Sequence, residues 1–149
     1  MSVGYRRDSA VSRRSPMKRS ERLWLQVGVA LGGCVPVGAG LAGVALGPRL
    51  AGAMVAPVSL DSHFRYLSGL LLAVGVAFWS TIPGIERKAP MFQLLTSLVV
   101  VGGLARLISL ISEGPPDAPM LFGLVMELAV TPALALWQAR LARGAGVAM

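Results

Sequence analysis

Two ionisable side chains, Arg106 and Glu127, lie inside apolar stretches that are long enough to cross a lipid bilayer. A lone charge at membrane depth costs about 2.5–3.5 kcal/mol on insertion scales, so such residues are rare and usually have a partner. Because these two residues carry opposite charges, we expect them to form an ion pair. Such a pair either binds a ligand, moves a proton or takes part in chemistry, or it only orients two helices.

A second polar group, Asp61, His63 and Arg65, precedes the second apolar stretch. Asp61 and Arg65 are four residues apart, so a helix that includes both allows an ion pair along one face. Together with Arg106 and Glu127, this group is expected to form one ligand-binding or structural polar cluster near the outer leaflet, with room for an anion at Arg65. Alternatively, Arg65 only extends to the membrane interface, as arginines near helix ends do.

Other patterns of catalytic or metal-binding residues are absent from the sequence. It has one histidine, His63, and one cysteine, Cys34, which argues against a metal site and excludes an internal disulfide. Cys34 falls within an apolar stretch, where the thiolate form is disfavoured. The chain has no Gly-rich phosphate loop and no His-Glu-x-x-His or Gly-x-Ser-x-Gly motif. We therefore expect neither enzymatic activity nor a cofactor.

The overall composition is that of a membrane protein. Hydrophobic residues make up 54% of the 149 residues and charged residues only 14%, with a mean hydropathy of +0.67, whereas soluble domains carry about 25% charged residues. About 20 apolar residues are needed to span a bilayer. Four stretches meet this requirement, at residues 23–46, 66–85, 91–112 and 120–137.

These stretches predict an all-α, polytopic membrane protein that folds as a bundle of four transmembrane helices. The membrane domain is expected at residues 22–143, after a basic and disordered cytoplasmic tail at residues 1–21 and before a short C-terminal tail at residues 144–149. The first stretch is about twice as long as the 7–15-residue core of a signal peptide, which favours a retained helix. Translation can start at Met1 or at Met17, and the sequence does not distinguish them.

The distribution of basic residues predicts the orientation in the membrane. The net charge is +7, and seven of the 14 Lys and Arg residues precede the first stretch. With the N-terminus inside, the inner segments hold eleven basic residues and the outer segments hold only Arg49 and Arg65. We expect an inner-membrane protein with both termini in the cytoplasm. Its basic residues are expected to face anionic lipid headgroups rather than nucleic acid.

The depth of the two intramembrane charges supports their pairing. Arg106 lies six residues before the end of the third stretch at Ser112, and Glu127 lies seven residues after the start of the fourth at Met120. At 1.5 Å per residue both are about 9–10 Å below the outer end. Helices joined by a short connection are antiparallel neighbours, so the two side chains can meet.

Small residues recur every four positions along the first stretch, at Gly28, Gly32 and Gly40, with Pro36 between them. Small residues at this spacing allow helix backbones to approach closely in lipid. The stripe is therefore expected to pack helices within the bundle or, alternatively, to form the seam of a homo-oligomer.

Three motifs indicate a family. They are the segment Asp61-Ser-His-Phe-Arg65-Tyr66, the segment Gly102-Gly103-Leu-Ala-Arg106, and the acid Glu127. In these motifs the chain, over roughly residues 22–140, resembles the family called domain of unknown function 4345, which implies a compact four-helix membrane domain without a known activity. A more distant and purely architectural likeness is to DoxX-type proteins, some of which accompany quinone-linked redox systems.

Three hypotheses about function follow. In the first, a non-enzymatic module binds a small polar or anionic ligand, or a partner protein, at the Arg/Glu-centred site. In the second, the chain is a subunit of a small oligomeric transporter. In the third, it is a redox accessory protein that binds quinone, with His63 and Arg65 donating hydrogen bonds to the headgroup.

Overall fold

The computed structural model describes residues 19–144 as four long helices and their connections. Helix α1 spans Arg19–Leu46, α2 spans Val58–Thr81, α3 spans Ala89–Glu113 and α4 spans Ala118–Gly144, and each is long and apolar enough to cross a membrane. A 3-10 turn, Gly47–Ala51, follows α1, and no strand occurs within the described residues. The predicted all-α fold with four transmembrane helices is confirmed, and the chain is a multi-pass membrane protein.

The second helix lies earlier in the chain than predicted. It begins at Val58 and ends at Thr81, whereas the apolar stretch covers residues 66–85. Its first two turns are polar and extend beyond the apolar stretch, with Asp61 in the first turn, where an acid is favourable. Its end is set by Pro83, which has no N–H group to continue the helical hydrogen bonds, and by Gly84, whose φ is +72°.

The other three helices extend the predicted stretches, α1 at its start and α3 and α4 at both ends, by at most seven residues at an end, because hydropathy does not register polar terminal turns. Helix α1 starts at Arg19, inside the segment predicted as a disordered tail at residues 1–21. The rest of that tail, residues 1–18, lies outside the described residues, and so do residues 145–149 of the predicted C-terminal tail.

Helices α1 and α2 form an antiparallel hairpin with close backbone contact. As α1 is followed from Gly33 to Gly43, its contacts on α2 run backwards from Trp79 to Ser68. A Cβ atom added at Gly40 would lie 2.6 Å from a backbone nitrogen of α2, and the glycines at both ends of this segment likewise leave no room for one. Because helix association in lipid depends on such close packing, these glycines fix the hairpin.

A hydrophobic core forms at one end of the bundle. At this end α1 begins, α2 and α3 are connected, and α4 ends. The rings of Phe78 and Phe92 meet edge to face with centroids 5.2 Å apart. The buried hydrophobic cluster comprises Leu25, Val29, Phe78, Ile85, Phe92, Leu95, Ala135 and Leu141. No residue between 118 and 134 of α4 is buried, so the buried residues of α4 lie in its C-terminal part.

Two glutamines attach the connection between α2 and α3 to this core. The fully buried Gln138 donates a hydrogen bond from Nε2 to the carbonyl oxygen of Ile85, at 2.8 Å. Gln26 donates in the same way to the carbonyl oxygen of Ile82, at 2.9 Å. The connection is therefore held from both α1 and α4, and the packed end of the bundle positions α3 beside α4.

Candidate functional site

Arg106 of α3 and Glu127 of α4 form the expected ion pair. Arg106 Nε donates to Glu127 Oε2 at 3.1 Å and Arg106 Nη2 donates to Glu127 Oε1 at 3.2 Å, which is a bidentate arrangement. The side chains are 33% and 17% exposed, so the pair is only partly enclosed by protein. Arg106 lies seven residues before the end of α3, about 10 Å along the helix axis.

Gly103, three residues before Arg106, allows α4 to approach α3 at this point. A Cβ atom added at Gly103 would lie 2.9 Å from Glu127 Cβ and 2.7 Å from Leu128 Cδ2. Gly102, its neighbour, has nothing within 4 Å of an added Cβ. The second glycine of the Gly-Gly-x-x-Arg motif thus brings the acid within reach of the guanidinium, while the first faces away.

Glu127 lies in an irregular segment of α4. Residues Met126–Val130 form a π-helical turn, in which the Thr131 hydroxyl donates to the Met126 carbonyl at 2.8 Å. Pro132 follows directly and has no N–H group to donate into the preceding turn. Single π-helical turns within α-helices occur frequently at functional sites. The backbone around Glu127 is therefore distorted where the charge is placed.

The guanidinium of Arg106 is not fully used by this pair. Of its five N–H groups, two donate to Glu127 and a third, on Nη1, points to the sulfur of Met120 at 2.9 Å. A thioether is a weak acceptor. No other hydrogen bond of Arg106 is formed within residues 19–144, which leaves two N–H groups for another acceptor.

Asp61 and Arg65 form a second bidentate pair, one turn apart on α2. Arg65 Nε and Nη2 donate to the carboxylate at 2.8 and 3.2 Å. Nη1 donates to the carbonyl oxygens of Val44 and Ala45, the latter at 3.2 Å. These carbonyls belong to the last turn of α1 and have no helical partner, so Arg65 caps the C-terminus of α1.

The two pairs lie at different heights in the bundle. On α1, an added Cβ at Gly32 would lie 3.9 Å from Met126 Cε, next to Glu127, whereas one at Gly47 would lie 2.9 Å from Arg65 Nη2. These glycines are fifteen residues apart, about 22 Å along the helix. No hydrogen bond or ion pair joins the two pairs in the described part of the chain. The structure therefore contains two separate polar sites and not one cluster.

His63, the remaining residue of the expected cluster, is exposed on α2. Within residues 19–144, no group of three or more His, Cys, Asp and Glu side chains is placed to hold a metal ion. His63 thus lies outside both ion pairs, and its role in binding stays a prediction.

The glycine stripe of α1 is divided between two neighbours in the same chain. Gly28 and Gly32 lie against Leu134 of α4, whereas Gly40 lies against Leu72 of α2. A spacing of four residues advances about 40° around a helix at each step, so positions twelve residues apart face different partners. These contacts correspond to packing within the bundle.

Sequence reasoning did not identify the π-helical turn or the two glutamines that hold the connection. The signal for the first is Thr131-Pro132 in the middle of an apolar stretch, where a missing N–H group disturbs the helix. The signal for the second is a pair of amide side chains, Gln26 and Gln138, in otherwise apolar helices. Such polar residues need a partner in a membrane.

One comparison with known proteins gives a match. The model of the family described as "Domain of unknown function (DUF4345)" matches residues 24–138, which is most of the chain and includes α2, α3 and most of α1 and α4. No curated protein and no solved structure matches. The matched region contains all three motifs on which the resemblance was based, and the expected family is confirmed.

Proposed function

This chain belongs to the DUF4345 family, and we propose that it is a non-enzymatic module of the bacterial inner membrane that binds a small polar or anionic ligand at Arg106. The observation that carries the proposal is the incomplete use of the Arg106 guanidinium, which directs one N–H group to a thioether and leaves two without a partner in the described part of the chain. Donors at membrane depth lack water as a partner, so an oxygen acceptor supplied by a ligand is favourable.

The contrast with Arg65 supports the assignment of binding to Arg106. Arg65 makes four contacts to oxygen atoms, two on Asp61 and two on backbone carbonyls of α1. Among residues 19–144, Arg106 contacts oxygen atoms only on Glu127. Arg65, which we expected to leave room for an anion, instead has most of its N–H groups occupied within the protein.

The site is also accessible. A third of the Arg106 side chain is exposed, and the N-terminal half of α4 that faces it contains no buried residue. A ligand with carbonyl, carboxylate or phosphate oxygens can therefore approach the free edge of the guanidinium without displacing a packed core. Glu127 would hold the guanidinium plane in a fixed orientation for that acceptor.

We further propose that both termini face the cytoplasm. This rests on the excess of basic residues in the segments on that side, eleven against two, counted over the whole sequence. In this orientation the Arg106–Glu127 pair lies in the outer half of the membrane, and its ligand arrives from the outer side or from the outer leaflet.

The proposal is tested by identifying small molecules that the purified protein retains. We compare wild type, Arg106→Lys and the control Arg87→Lys, an exposed residue in the connection between α2 and α3. Lysine keeps the charge that pairs with Glu127 but lacks the planar fork of donors. We expect mass spectrometry of extracts to find a polar or anionic molecule that wild type and Arg87→Lys retain and Arg106→Lys loses at least fivefold.

Thermal unfolding of the same samples separates ligand loss from loss of fold. Equal retention by Arg106→Lys, with an unchanged unfolding temperature, would contradict binding at this residue. If the retained molecule is a quinone, the hypothesis of a redox accessory protein gains over that of a polar ligand. If no sample retains any small molecule at all, the ligand-binding proposal fails.

A further inference from the structure

A pocket of about 340 Å³ lies at the end of the α1–α2 hairpin, away from the Arg106–Glu127 pair. It is formed by the 3-10 turn after α1, the connection that follows and the first turn of α2, and its lining includes Arg49, Met54, Val55, Val58 and Asp61. None of the three functional hypotheses uses this pocket.

The walls of the pocket are ordered by backbone contacts. The N–H group of Gly52 donates to the carbonyl oxygen of Arg49 at 3.0 Å, and that of Ala53 donates to the carbonyl oxygen of Pro48 at 3.2 Å. Gly47, at the start of the 3-10 turn, has a φ of +59°, and a Cβ there would lie 2.6 Å from Asp61 Oδ1. A pocket that is already formed needs little ordering when a ligand binds.

One positive charge of this pocket is uncompensated. Asp61 is neutralised by Arg65, whose donors are used on the carboxylate and on the end of α1. Arg49 is exposed and lies near enough to Asp61 to interact with its charge, but its guanidinium makes no hydrogen bond or ion pair with any residue between 19 and 144. An anion with several oxygen atoms is the complementary ligand, since a guanidinium binds such groups through paired hydrogen bonds.

The rim of the pocket is apolar and fully accessible. Met54, Val55 and Val58 are 84%, 92% and 86% exposed, although they are aliphatic. They lie in and just after the connection between α1 and α2, two helices that are long and apolar enough to cross a membrane. Side chains of this kind gain free energy by contact with lipid, because the contact removes their apolar area from water.

We propose that this pocket binds the headgroup of an anionic phospholipid. Arg49 donates hydrogen bonds to the phosphate oxygens, and the aliphatic rim contacts the glycerol and the first methylene groups of the acyl chains. The pairing of a cation with an apolar rim favours a lipid over free phosphate, because free phosphate would leave the rim in water.

The test measures lipid adducts by native mass spectrometry in a non-ionic detergent. Wild type, Arg49→Gln and the control Arg87→Gln receive equal amounts of dioleoylphosphatidylglycerol and dioleoylphosphatidylcholine. We expect wild type and Arg87→Gln to retain the anionic lipid at least threefold more than the zwitterionic one, and Arg49→Gln to lose this preference. Arg49→Lys should keep part of it, because the charge is preserved.

Two further measurements distinguish a lipid from free phosphate and test whether the lipid binds at this pocket. Inorganic phosphate at a tenfold excess should not displace the lipid, and displacement would show a site for free anions and overturn the proposal. Val55→Ser should weaken the anionic lipid adduct without lowering the unfolding temperature, because Val55 has almost no packing to lose. Equal lipid preference in wild type and Arg49→Gln, or equal loss in Arg87→Gln, would likewise overturn it.

Discussion

The two bidentate arginine–carboxylate pairs of this protein differ in the number of donors that they leave free. Arg65 contacts its acid and two carbonyl oxygens of α1, which ties the second helix to the end of the first. Arg106 contacts its acid and a thioether. The same residue types therefore support the fold at one position and leave binding capacity at the other. A charge count of the sequence cannot make this distinction.

Replacement of Glu127 by Gln is expected to destabilise the detergent-solubilised protein by about 2–3 kcal/mol. The amide still accepts one hydrogen bond, but the positive charge of Arg106 is left without compensation in a poorly solvated site. Thermal unfolding should show a lower midpoint than that of wild type. Glu113→Gln is the matched control, since Glu113 is exposed at the end of α3 and should be nearly neutral.

A double-mutant cycle with Arg106→Gln identifies the cause. If the cost arises from an unpaired charge, the double variant Arg106→Gln/Glu127→Gln should unfold closer to wild type than Glu127→Gln does. Additive effects of the two substitutions would show that the two residues do not stabilise each other, and would remove the pair as an energetic unit.

At the level of helices, the sequence predicts that a helix exists better than it predicts where the helix begins and ends or where it is irregular. Four apolar stretches are enough to predict four helices, because a chain in lipid must satisfy its backbone hydrogen bonds internally. Hydropathy does not locate the start of α2 at Val58, since its first turns are polar and can be helical outside the hydrocarbon. The π-helical turn around Glu127 is also invisible to hydropathy, which carries no information on the position of missing N–H groups.

The adjacent glycines of α3 allow a test of the contact that brings α3 and α4 together. Gly103→Ala places a methyl group 2.9 Å from Glu127 Cβ, so α4 must shift and the ion pair must lengthen. Gly102→Ala meets nothing within 4 Å. We expect Gly103→Ala to lower stability by about 1–3 kcal/mol, as overpacking does, and Gly102→Ala to leave the unfolding midpoint near that of wild type.

One outcome would contradict the role of Gly103 in bringing α3 and α4 together. Equal midpoints for the two alanine variants would mean that α4 does not need this close approach, and that the Arg106–Glu127 distance is not set by the glycine. A double variant that combines Gly103→Ala with Glu127→Gln should cost less than the sum of both, because the first substitution already weakens the pair.

For the molecule as a whole, the sequence does not indicate which apolar side chains face the protein and which face lipid. Leu94 and Leu95 of α3 are chemically identical, yet they are 62% and 7% exposed. In water an apolar residue is driven into the protein interior. In a membrane both the protein interior and the lipid are apolar, so the pattern of apolar residues does not show which of the two a side chain faces. The two polar sites were expected in one cluster because both lie near the predicted outer ends of their apolar stretches, whereas the packing of the helices separates them.

The orientation of the bundle remains a prediction from charge, and accessible cysteines can test it. In a Cys34→Ala background, Glu113→Cys places a thiol at the exposed end of α3, and Arg87→Cys places one in the exposed connection at the other end of the bundle. Because basic residues are retained on the cytoplasmic side, a membrane-impermeant maleimide should label Glu113→Cys in intact cells. It should label Arg87→Cys only after permeabilisation, and Cys34→Ala alone should not react. The reverse pattern would place the Arg106–Glu127 pair in the cytoplasmic half of the membrane, and its ligand would then come from the cytoplasm.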